Sequence, residues 1–105
     1  MNHHGEQAQR HWSRYLPASY GRLEDPERFF TNLGEQAEAE IEDRYLEYAG
    51  PEVPGESAED KQERLTQAMN RATEEVYAEL VTPSPASQGE LTEDEDQDQE
   101  TSPAS

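Results

Sequence analysis

His3, His4 and His11 are the only imidazoles in this 105-residue chain, and Ser13 follows the last of them by two positions. Imidazoles can hold a metal or move a proton, and a serine beside one can become a nucleophile. The spacing supports neither. No HExxH-type pair sets two ligands one helical turn apart, and no metal or cofactor is expected. His11 and Ser13 stand at i and i+2, on different faces of a helix, with no G-x-S-x-G turn around them. The histidines read as solvent-exposed. Cysteine is absent, which removes disulfides, thiolate metal sites and Cys nucleophiles. There is no glycine-rich phosphate loop and no nucleotide fingerprint.

Carboxylates are the remaining chemical resource. Acid–base catalysis needs one of them in an apolar pocket and a second in a wet one, which a chain this short has little concave volume to provide. The expectation is a protein that is not an enzyme. The acids instead suggest a surface. In "GEQAEAEIEDRYLEY", Glu35, Glu38 and Glu42 fall on one helical ridge, Asp43 and Glu47 on another, with Arg44 the one base among them. Cβ atoms at such spacings are about 5–6 Å apart, comparable to phosphates along a nucleic-acid strand. A second acidic group, Glu93, Asp94, Glu95 and Asp96, lies near the C-terminal end.

Total charge narrows the partners. Twenty-five acids against eight bases give a formal net charge of −17. Direct binding to nucleic acid or to an anionic membrane surface needs the opposite sign, so neither is expected. A basic protein partner is favoured. No apolar run suits a transmembrane helix or a signal segment, and the expected location is cytoplasmic.

The elements that must position these acids are helical. With 30% hydrophobic residues, the chain is close to the limit at which burial can offset ordering entropy, so a fold must be small and local. Asp25 and Pro26 form a helix start, and Phe30, Leu33, Ala37, Ile41, Tyr45 and Tyr48 recur at steps of three and four until Gly50-Pro51. Ser57 caps a second long helix, striped by Leu65, Ala68, Met69, Ala72, Val76 and Leu80, with Asp60–Arg64 as an i,i+4 pair. "GPEVPGE" between them predicts an antiparallel hairpin, about 26–49 and 58–81. A shorter N-terminal helix carrying Ala8, Trp12, Tyr15 and Leu16, stopped by Pro17, should pack across it. Phe30 reads as core and the adjacent Phe29 as the docking point for that helix.

The fold class is thus all-α: residues 1–5 a flexible N-terminus, 6–82 a small helical domain, 83–105 a disordered acidic tail. The division follows charge: residues 1–82 hold 18 acids and all eight bases, and 83–105 hold seven acids and none.

Across "YLP", "DPERFF", "LGE" and "AGP", and more loosely through "LTQAMNRATEEVYAEL", the chain resembles small acidic helical proteins of actinobacterial phages and mobile elements. The resemblance covers the middle two thirds and brings no established activity. It implies an accessory protein or inhibitor. Three functional expectations result: an acidic interaction module for a basic partner; a nucleic-acid mimic that inhibits a DNA- or RNA-binding defence enzyme; and a homo-oligomeric scaffold built on Phe29, Tyr45 or Tyr77.

Overall fold

The structure, a computed structural model, describes residues 1–86. Its framework is the expected hairpin of α3 (Pro26–Ala49) and α4 (Ala58–Val76). Asp25 caps α3 by accepting from the Arg28 amide at 3.2 Å, with Pro26 in the first turn where its missing N–H costs nothing. Gly50 ends α3 at φ 68°, a left-handed conformation that suits glycine. Ser57 Oγ accepts from the Asp60 amide at 3.0 Å to begin α4. Each such cap is worth about 1 kcal/mol.

α1 (His3–Tyr15) lies over the seam of the hairpin, antiparallel to α3 and parallel to α4. Its Trp12 meets Phe29 and Phe30 edge-on, with ring centroids 5.4 and 5.7 Å apart, while Gly5 and Asn2 sit beside Gly34. Phe30 is fully buried and Phe29 half-buried against Trp12, so the two adjacent rings divide as expected between core and docking point. Leu33, Ala37, Ile41, Ala72, Val76, Ala8 and Leu16 extend the core.

Several particulars differ from expectation. The first five residues belong to the domain: Asn2 Oδ1 accepts from the Gly5 amide at 2.9 Å, and Asn2 Nδ2 donates to the Gly34 carbonyl at 3.0 Å. Gly5 and Gly34 let the two backbones nearly touch. A Cβ on Gly34 would come within 2.7 Å of the Gly5 nitrogen. Pro17 ends α1 but also opens a short helix, α2 (Pro17–Gly21), whose Tyr20 ring stacks on Phe30 at 5.9 Å.

At the far end, α4 passes into a π turn (Tyr77–Val81), closed by the Thr82 amide donating to the Tyr77 carbonyl at 2.7 Å. The wider turn brings residue 81 onto the stripe that ends at Val76, so Val81 is fully buried. Pro83 is buried as well, and the domain reaches beyond residue 82. The expected tail falls mostly outside the described residues.

His3 is exposed, as expected, but His4 and His11 are partly buried and hydrogen-bonded. His11 Nε2 donates to the Pro83 carbonyl at 2.8 Å, and His4 Nδ1 is hydrogen-bonded to the Tyr77 hydroxyl at 2.7 Å. Helix α1 is thus pinned to the end of α4 at two levels.

Candidate acidic groove

The seam between α3 and α4 has two sides, and the sequence treats them differently. One side is closed by charge. Arg44 donates to Glu40 at 3.4 Å, to Glu75 at 3.3 Å and to Glu79 at 2.8 Å. The Tyr48 hydroxyl donates to Glu75 at 2.5 Å, and Arg71 lies over the Tyr48 ring at 4.0 Å while donating to Glu75 at 3.2 Å. Further along, Arg64 does not pair with Asp60. It donates two charge-assisted bonds to Glu56, at 2.9 and 3.0 Å, and a third to the Ala49 carbonyl, an acceptor left without an intrahelical partner at the end of α3.

The pairing shifts titration. Hydrogen bonding to Arg44 holds Glu79 below its ordinary value, and Arg64 does the same for Glu56. Glu75 is lowered first by the Tyr48 hydroxyl and then by Arg71, while the same bond raises Tyr48. Arg44 and Arg64 are held more firmly protonated, chiefly by their bonds to Glu79 and Glu56.

The other side is open. α1 covers the seam only as far as His4. Beyond it lies a hollow of about 490 Å³ lined by His4, Glu38, Ile41, Glu42, Tyr45, Met69 and Thr73. It continues toward the hairpin turn past Leu65 and Thr66. Its floor is apolar and one wall is acidic. Met69, expected in the core stripe, is 41% exposed here, because α1 ends before reaching it. No basic side chain forms an ion pair with this wall among the described residues; the bases of the hairpin that form ion pairs, Arg44, Lys61, Arg64 and Arg71, pair with other carboxylates.

Of the acids singled out by spacing, Glu38 and Glu42 come together in this hollow. Glu35 is exposed on the same ridge one turn away, and Glu38 accepts a long 3.5 Å bond from Asn2. Asp43 and Glu47 are exposed but separate, because one helical step turns Asp43 by about 100° from Glu42. Glu93, Asp94, Glu95 and Asp96 lie outside the described residues. Spacing marks Met69 as core and Tyr45 as a core-stripe or self-association residue; that both line the groove depends on where α1 stops.

A second hollow of about 350 Å³ lies between Trp12, Phe29, Leu33 and Leu80. Glu79 is its one charged neighbour and is already held by Arg44, so it lacks the unpaired polarity of the groove. Among the described residues no group of three or more metal-ligating side chains is found, and no helix is long and apolar enough to cross a membrane. No family model matches the chain, and comparison with curated proteins and with solved structures gives no match.

Proposed function

We propose that this protein is a non-enzymatic interaction module whose acidic surface engages a basic protein partner. The observation that carries the reading is the sorting of charge across the hairpin. The paired arginines are engaged on one side of the seam, and Glu35, Glu38 and Glu42 are left without a base on the other. Like carboxylates three and four residues apart cost an isolated helix a few tenths of a kcal/mol per pair, which a partner's lysines and arginines would reverse. Exposed charge also steers a basic partner toward this face over about a Debye length, ~8 Å at physiological salt.

The test is affinity purification with the full chain from a native extract, washed at increasing salt. A specific basic partner should be retained at low salt and released as salt rises. A partner held equally at low and high salt would contradict the electrostatic account. Repeating the capture with a 1–86 truncation separates the described domain from the acidic residues beyond it. Cutting at 82 would remove Pro83 and its bond from His11.

Nucleic-acid mimicry is a second reading, favoured by the single exposed ridge of Glu35, Glu38 and Glu42. It requires competition between this protein and DNA or RNA for one enzyme, abolished by charge reversal at those three positions. The resemblance to phage and mobile-element proteins would make that enzyme a host-defence factor. Neighbouring genes are the observation that tests this setting.

A further inference from the structure

We infer that the open half of the α3–α4 seam is the seat of a single amphipathic basic α-helix supplied by another protein, lying end to end with α1. The inference rests on the acidic-module reading and specifies the form of the partner.

The groove is the uncovered continuation of a site that already holds a helix. α1 occupies the seam from Trp12 to His4, between Phe30 and Glu38 on α3 and between Leu80 and Tyr77 on the α4 side. α3 has 24 residues and α1 has 13, so about 16 Å of seam remains at 1.5 Å per residue, enough for about three helical turns. The floor left open is Ile41, Tyr45, Leu65 and Met69, suited to apolar side chains at i, i+3, i+4 and i+7. Glu38 and Glu42 form one wall a single turn apart, so lysines or arginines spaced by four on the incoming helix would meet both.

Charge decides among occupants. Residues 87–105 of this chain contain seven acids and no base, and would be repelled. A second copy carries the same acidic wall and the same net charge of −17. An extended strand would find no sheet edge among the described residues. A helix with one apolar and one basic face complements both the floor and the wall.

The experiment uses the full chain, isotope-labelled for amide NMR, and two synthetic 14-residue peptides of identical Leu/Lys composition. One is patterned as an amphipathic helix and the other is scrambled to destroy the face. At 50 mM salt the patterned peptide should bind at least about tenfold more tightly. It should move amides near Glu38, Glu42, Tyr45, Met69 and Thr73 while leaving those near Glu56 and Glu79 in place. Met69→Lys, at an exposed position, removes apolar floor and adds a like charge, and should weaken it tenfold or more with helicity unchanged. If that variant unfolds, Glu38→Lys with Glu42→Lys supplies the same test. Equal binding of the two peptides, or shifts confined to the Asp43 and Glu47 side, would overturn the helix seat and leave the acidic-module reading intact. Failure of both peptides to bind would overturn both.

Discussion

The two sides of the hairpin seam use the same residue type to opposite effect. On the closed side Glu56, Glu75 and Glu79 are drawn into bonds with Arg44, Tyr48, Arg64 and Arg71; on the open side Glu38 and Glu42 face solvent over an apolar floor. A carboxylate paired with a cation ties distant segments together, and one without a cation adds repulsion along its own helix. The difference separates acids that hold the fold from acids available to a partner.

The contrast can be broken most severely at the glycine contact that seats α1. Helix propensity alone would favour Gly34→Ala by about 1 kcal/mol. A Cβ there collides with Gly5 and Asn2, so the variant should instead lose about 1–3 kcal/mol, typical of overpacking. Thermal melting should show a fall of about 4–8 °C per kcal/mol, and the open seam would lengthen as α1 lifts.

Arg44→Met should have the next largest effect. It leaves Glu40, Glu75 and Glu79 facing one another without their shared cation. The melting temperature should fall, and fall further at low salt than at high salt, because screening relieves the exposed repulsion. A salt-independent loss would mean that Arg44 acts mainly through its packing.

The closed side should also be sensitive to acid. Glu75 titrates below its ordinary value of 4.5 because Tyr48 and Arg71 stabilise the charged form. Its contribution is therefore complete above about pH 4.5 and is lost as pH falls through the lower folded value. The melting difference between the parent and Glu75→Gln should be present at neutral pH and close as pH drops below 4.5. A difference that persists in acid would assign Glu75 a role other than its charge.

The smallest effect belongs to the open side. Glu38→Gln with Glu42→Gln should change stability by no more than about 0.5 kcal/mol, in the stabilising direction. A clear loss on melting would show that this wall also holds the fold.

Much of this contrast was legible in the residues. Asp25-Pro26, Gly50 and Ser57 act on backbone groups within four residues, so local grammar located both long helices. Phe29 and Phe30 separated correctly because adjacent helical positions diverge by about 100°. The exposed ridge of Glu35, Glu38 and Glu42 followed from the same spacing. What escaped depends on contacts between distant segments. Gly34 is an ordinary weak helix residue until Gly5 approaches it. Arg64 turns from its helical neighbour Asp60 to Glu56 in the connecting turn and to the Ala49 carbonyl at the end of α3. Val81 reaches the core only through one extra residue in a turn, which a strict 3.6-residue period places outside. Met69 belongs to the apolar stripe of α4, and its exposure follows from the length of α1, which lies more than fifty residues away in sequence.

Trp12 is the one indole in the chain, and its Nε1 donates to the Leu80 carbonyl at 3.4 Å where α1, α3 and the π turn meet. It lies outside the acidic groove, whose floor carries Tyr45. The molecule therefore carries a built-in optical gauge for the seating of its first helix. A partner that fills vacant seam should leave tryptophan emission nearly unchanged, whereas one that displaces α1 should shift it to the red. Fluorescence during titration can distinguish addition to the bundle from exchange within it.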